Sequence, residues 1–179
     1  MPTHVAFLRA INVGGHGVVK MNDLNRAFES AGCKNIKTVI ASGNVAFDAA
    51  ANASAFAPKI QRAVDALLKS KSVIMFRTMR DIAEIVAASP FKAFVIGPDL
   101  KCCVVFLESA PRGKVKIPQP PPASGLESIR IVGSEAYVVC RRKKDGMFGY
   151  PNNYIEDKIG VAATTRTWTT VEKIAKLKS

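Results

Sequence analysis

Apolar residues open the chain in an almost unbroken run. Val5, Ala6, Phe7, Leu8, Ala10 and Ile11 fill both faces of an expected strand over 5–12, with Arg9 as the interruption. Such a run belongs to a strand in the middle of a sheet that is covered on both sides. A glycine-rich turn over 13–17 follows, and then Leu24, Ala27, Phe28 and Ala31 recur at helical spacing. Asn22 is the expected N-cap of this helix, Asp23 suits its positive end and Gly32 ends it. Two strands are expected at 36–41 and 44–48, joined by Ser42-Gly43-Asn44, whose residues suit a tight hairpin. Phe56, Ile60, Ala63, Val64, Leu67 and Leu68 mark a second helix, with Pro58 expected in its first turn, where a missing N–H is tolerated. A fourth strand at 73–77 leads into a third helix, capped by Thr78, with Met79, Ile82, Ile85 and Val86 inward and Ser89-Pro90 as its stop.

The order βαββαβ over residues 4–77 predicts a ferredoxin-like fold. Right-handed crossovers then make the first two strands parallel, with the third running antiparallel between them. The glycine turn, the Ser42-Gly43-Asn44 hairpin and the Lys69-Ser70-Lys71 stretch before the fourth strand would all land on one edge.

The second half begins with an expected strand at 101–107, then a proline-rich segment at 111–122 that favours an extended path. A hairpin over 126–141 turns at Gly133-Ser134, a helix is expected at 153–159, and Thr169-Thr170-Val171-Glu172 is read as the capping box of a last helix. The expected organisation is α/β (α+β): a ferredoxin-like domain over 1–90 and a second, smaller α/β subdomain over 98–179 with a related strand order, a weak internal duplication.

Composition changes this picture at one point. With 26 Lys and Arg against 14 Asp and Glu, the formal net charge is +12. Such a balance favours anionic partners, although a basic protein of this kind can simply be soluble. The basic residues are dispersed except at Arg141-Arg142-Lys143-Lys144, which reads as a solvated hairpin end first and a phosphate contact second. Hydrophobic residues make up 48%, enough for a substantial core, yet no run is long enough to span a membrane and the first residues do not open a signal peptide. A cytoplasmic location without membrane partners is expected. The four cysteines lack C-x-x-C spacing and are expected to be reduced, and with only two histidines there is no zinc motif. Neither a metal nor a cofactor is expected.

The candidate site is anionic in its preference. Backbone N–H groups of Gly14, Gly15 and Gly17, with Lys20 and the Ser42 hydroxyl, would hold a phosphate near the start of the first helix. The plainer reading is that these glycines permit a turn and that Asn12 and Asn44 are turn formers. Arg9 must find a carboxylate, carbonyls or a wet edge, since an unpaired buried charge costs about 3–5 kcal/mol. Asp48 on the neighbouring strand is the expected partner. Arg166 is assigned a structural salt bridge, with ligand contact second, and Trp168 a core or interface anchor. The candidate ligand-binding residues are Arg9, Asn12, Gly14, Gly15, His16, Lys20, Ser42, Asn44 and Arg166.

Four stretches together resemble domain-of-unknown-function family 1697: 8–15 (LRAINVGG), 40–45 (IASGNV), 89–91 (SPF) and 163–172 (ATTRTWTTVE). The resemblance implies a small bacterial α/β protein without an assigned biochemical role. The chain departs from the usual pattern at Ala10, where the family generally has Gly, at Ala41, where it often has Gln, and at Thr167 and Thr169, where it tends to have Asn. The family's turn is commonly rich in Lys, whereas this one has His16, Val18 and a single Lys20.

Three functions remain open at this level. The leading one is a binder of phosphate-bearing ligands, an anionic small molecule or nucleic acid. An RNA-binding version would stack bases on sheet aromatics such as Phe7 and Phe47. The second is an enzyme acting on a small phosphorylated substrate, with His16 or Asp48 as base. The third is a homo-oligomer whose doubly apolar sheet is the interface.

Overall fold

Val5, Ala6, Phe7 and Leu8 are all buried in the computed structural model, as a strand apolar on both faces requires. The structure describes residues 2–9, 19–40, 43–49, 52–113 and 117–177. The chain divides into two compact units, Met1–Glu84 with Lys173–Ser179, and Ile85–Glu172.

In the first unit, β1 (His4–Leu8), α1 (Met21–Ser30), β2 (Lys34–Thr38), β3 (Asn44–Asp48), α2 (Ala53–Leu68) and β4 (Ile74–Thr78) follow in order, and α3 (Met79–Ala87) begins directly after β4. The sheet order is β2-β3-β1-β4 with every neighbouring pair antiparallel, so β1 and β2 are parallel across β3, as expected. One face packs on the helices: Ala6, Leu8, Val45 and Phe47 meet Leu24 and Phe28 of α1 and Phe56, Ile60 and Val64 of α2. Phe47 lies edge-on to Phe28 and Phe56 at 5.2 and 5.4 Å between centroids. Phe7 and Phe47 have no exposed surface. The sheet therefore lacks the aromatic platform that stacking of bases on it would need.

Several boundaries differ from expectation. β1 stops at Leu8 rather than Asn12, and β2 lies two residues earlier than expected. The N-cap of α1 is Lys20, with no side-chain cap, so Asn22 falls inside the first turn. α2 begins at Ala53 behind Asn52, whose side chain accepts the Ser54 N–H at 3.0 Å, and this leaves Pro58 inside the helix. Thr78 does cap α3: its Oγ1 accepts the Asp81 N–H at 3.1 Å while Asp81 Oδ2 accepts the Thr78 N–H at 2.8 Å.

The second unit repeats this plan. β5 (Leu100–Leu107), β6 (Leu126–Val132), β7 (Glu135–Arg141), α4 (Pro151–Ile159) and β8 (Ala163–Thr167) follow in order, the strands forming an antiparallel sheet of order β6-β7-β5-β8, and α5 (Trp168–Ala175) begins directly after β8. β5, β6, β7 and β8 thus correspond to β1, β2, β3 and β4. The proline-rich segment and a 3-10 turn at Pro122–Ser124 stand where the first unit has α1. α5 begins at Trp168, so the hydroxyl at its start belongs to Thr167, which bonds Thr170 Oγ1 at 2.9 Å; Thr169 is already helical. Phe91 packs edge-on to both Tyr137, at 6.0 Å, and Trp168, at 5.3 Å. Each of the four motif stretches therefore supplies core, through Leu8, Val45, Phe91 and Trp168. All four cysteines are free and buried.

Candidate functional site

Two backbone hydrogen bonds gather three connections at one edge of the first sheet. The Leu8 N–H donates to the Gly43 carbonyl at 2.8 Å, and the Arg9 N–H donates to the Val73 carbonyl at 2.9 Å. The end of β1, the β2–β3 hairpin and the lead-in to β4 thus meet, as the crossover argument predicts. α1 runs back along the sheet from this rim to the start of β2, which puts exposed Lys20 at its rim end.

The lead-in to β4 is held from below by α2. Asp65 Oδ1 accepts the Ser72 N–H at 2.7 Å and the Ser72 hydroxyl at 2.6 Å, while Gln61 Nε2 bonds both Asp65 and the Ser72 carbonyl. The Ser72 hydroxyl, followed by its N–H, holds the Asp65 carboxyl below the usual carboxylate range. Lys69 and Lys71, both exposed, flank this clamp. The hairpin is fixed by Asn44, which is buried: its Nδ2 donates to the Val39 carbonyl at 2.8 Å, and its carbonyl accepts the Val39 N–H at 2.9 Å. Asn44 is therefore a hairpin clamp.

Ile40 was not legible as a special residue. It is 48% exposed and has φ of +56°. A β-branched side chain in the left-handed region is a backbone outlier, and such outliers gather at binding sites. No residue pattern signals this, because isoleucine is the type least expected there.

Arg9 lies one residue beyond β1 and is half-buried. The register pairs Phe7 with Asn44 and His4 with Phe47, so Asp48 sits at the opposite end of the strand pair from Arg9. The expected Arg9–Asp48 pair is excluded by that register. Asp48 instead accepts Asn35 Nδ2 at 2.6 Å, which depresses its carboxyl. Asn12, Gly14, Gly15, His16, Gly17 and Ser42 lie outside the described residues.

Arg166 belongs to the second unit, on β8. Its guanidinium is buried and donates to Thr164 Oγ1 at 2.7 Å and to the Thr165 carbonyl at 2.8 Å; burial pulls its pKa down to about 10. Arg77 holds the equivalent place on β4 and donates to the Phe76 carbonyl at 2.7 Å. An Arg-Thr pair thus closes each last strand before its helix, which gives both arginines a structural part.

No cluster of three His, Cys, Asp or Glu among the described residues is arranged to hold a metal ion. No described helix is long and apolar enough to cross a membrane.

Comparison with known structures finds a conserved bacterial protein from Streptococcus pneumoniae, with a TM-score of 0.64 at 14% identity, covering 98% of this chain and 97% of that one. That likeness is one of fold. A search of curated proteins finds no match. The model of one family, described as protein of unknown function (DUF1697), matches residues 1–137. On that match the chain belongs to the DUF1697 family of proteins of unknown function.

Proposed function

We propose that this protein binds a phosphate-bearing small molecule at the rim where β1, the β2–β3 hairpin and the lead-in to β4 meet. The observation that carries this reading is the position of Arg9, whose backbone is tied to Val73 at 2.9 Å while its neighbour Leu8 is tied to Gly43 at 2.8 Å. The backbone of an arginine thus stands at the junction of three connections, and a guanidinium carried there is suited to recognise phosphate by paired hydrogen bonds. Exposed Lys20, Lys69 and Lys71 add positive charge from α1 and from the lead-in to β4. The glycines of 13–17 belong to the same reading through the backbone N–H groups they would offer.

Thermal unfolding in the presence of pyrophosphate tests it, because a ligand that binds only the folded state raises the melting temperature by mass action. The wild-type protein is expected to gain stability as pyrophosphate rises, and Arg9→Gln to lose that response while melting cooperatively. An equal response in Arg9→Gln, or none in the wild type, removes the site.

A further inference from the structure

The second unit carries a basic cavity that the rim reading does not use. It measures about 630 Å³ and is lined by Pro122, Ala123 and Gly125 on one side and by residues 141–145 on the other. We propose that this cavity, together with the exposed Tyr150 that follows Gly149 in the chain, binds single-stranded nucleic acid, with lysine and arginine on the phosphates and Tyr150 under a base.

The cavity is a built feature of the backbone. A Cβ on Gly149 would lie 2.4 Å from the Ser124 carbonyl oxygen, and one on Gly125 would lie 2.9 Å from the Gly149 nitrogen. Two residues without side chains therefore let the 142–149 hairpin seat directly against the chain after the 3-10 turn. Arg142 locks the hairpin from the other side: its Nε and Nη2 donate to the Pro98 carbonyl at 3.0 and 2.8 Å, and its Nη1 to the Gly146 carbonyl at 3.3 Å. The Phe148 ring is covered by Lys101 Nζ at 4.1 Å and by the Arg142 guanidinium at 5.0 Å.

With Arg142 committed to the fold, the other charges lining the cavity are Arg141, Lys143, Lys144 and Asp145; Asp145 pairs with Lys143 at 3.0 Å and Arg141 with Glu127 at 2.7 Å. The balance is positive and Lys144 is exposed. Tyr150 follows Gly149 in the chain and is 63% exposed, yet its hydroxyl accepts Asn152 Nδ2 at 3.0 Å, so the ring has a fixed place. A held, exposed ring one residue from Gly149, which packs on Gly125 of the cavity wall, gives with the cationic groove the pairing that single strands use: stacking tolerates any base, and the groove follows the backbone. A concave site also suits a sugar-phosphate chain better than the plane of a lipid surface. This inference does not depend on the rim, which lies in the other unit.

Fluorescence anisotropy of a labelled oligothymidylate at about 50 mM salt reads the site directly, since each phosphate contact adds about −0.7 to the slope of log K against log salt. Lys144→Glu is expected to weaken binding about tenfold and to make that slope shallower by about one contact. Tyr150→Ala is expected to weaken binding about tenfold with the slope unchanged, as the loss of one stacked base does. Both residues are exposed, and circular dichroism melts of each variant verify folding. Arg9→Gln is expected to bind the oligonucleotide like the wild type, which separates this site from the rim. The inference is overturned by absence of binding in the wild type, by unchanged affinity in Lys144→Glu, by loss in Arg9→Gln, or by attachment to phosphatidylserine vesicles without attachment to the oligonucleotide.

Discussion

Arg9 and Glu108 occupy the same position in two copies of one fold. The Arg9 N–H donates to the Val73 carbonyl at 2.9 Å, and the Glu108 N–H donates to the Ala162 carbonyl at 2.9 Å. The residue before each makes the matching bond to its hairpin, Leu8 to Gly43 at 2.8 Å and Leu107 to Ser134 at 2.9 Å. The two rims share a backbone and differ in charge, so each unit is a control for the other. Arg9→Glu is expected to abolish stabilisation by pyrophosphate, whereas Glu108→Arg leaves it unchanged, because the sequence after Glu108 has no counterpart of the glycine-rich stretch 13–17 that follows Arg9. Paired thermal titrations of the two variants measure this. A response that survives Arg9→Glu and disappears in Glu108→Arg would assign the ligand to the wrong unit.

His4 sets a window of pH sensitivity in the first unit. It is buried, stacked on Phe47 at 5.7 Å and edge-on to Phe56 at 4.8 Å. Burial pushes its pKa below the ordinary 6.5, outweighing the attraction of Asp48 and Asp81. Between the folded and unfolded values the unfolded chain binds more protons, so stability rises with pH there. It should fall as pH drops through 6.5 and level off once the folded histidine is itself protonated. The carboxylates act in a separate, more acidic window. Asp65, with its pKa lowered from 3.8, stabilises the fold above that value, and the contribution disappears as pH falls through the depressed one. Urea melts over about pH 5 to 7 are expected to show a slope that His4→Phe flattens.

The strand order was legible because alternation and apolar runs report which strands are central, and crossover handedness does the rest. Register was not. Nothing in the sequence says that Phe7 faces Asn44, and without that pairing Asp48 looked like a neighbour of Arg9 when it lies at the far end. The expected first strand is longer than the observed one for a related reason: hydropathy continues through Ala10 and Ile11, whereas pairing to β4 runs only from His4 to Leu8. The duplication was visible as strand order alone, since prolines replace one helix in the second half. A sharper signal was available in the Arg77-Thr78 and Arg166-Thr167 pairs, each with a polar partner three residues after its threonine, Asp81 and Thr170. Of the candidate site, the converging connections followed from topology, but the left-handed Ile40 is a property of the folded hairpin that side-chain identity argues against.

Ile40 carries backbone strain that can be relieved. A left-handed residue with a Cβ costs about 1–2 kcal/mol, and asparagine tolerates the conformation without the extra chain entropy of glycine. Ile40 is 48% exposed, so little burial is lost by replacing it. Ile40→Asn is expected to stabilise the protein by about 1 kcal/mol, which raises the melting temperature by about 2–4 °C. If the strain serves the rim, the same variant also binds pyrophosphate more weakly. Differential scanning calorimetry with and without the ligand reads both effects, and a lowered melting temperature would show that the isoleucine makes contacts that outweigh its strain.

Gly149 and Gly146 lie three residues apart and should respond in different ways to the same added methyl group. At Gly146, φ is +81° and nothing stands within 4 Å of an added Cβ, so alanine there meets only backbone strain of about 1–2 kcal/mol. At Gly149 the methyl would sit 2.4 Å from the Ser124 carbonyl and 2.8 Å from the Gly125 carbonyl carbon, both backbone atoms. No side chain can rotate away, so the hairpin itself must move off Gly125, at a cost of about 1–3 kcal/mol for overpacking. The displacement would also open the basic cavity lined by Gly125 and residues 141–145. Gly149→Ala is therefore expected to weaken oligonucleotide binding as well as stability, whereas Gly146→Ala lowers stability and leaves binding intact. Chemical denaturation alongside anisotropy on the two variants separates these outcomes, and equal binding losses in both would mean that the Gly125–Gly149 contact does not shape the site.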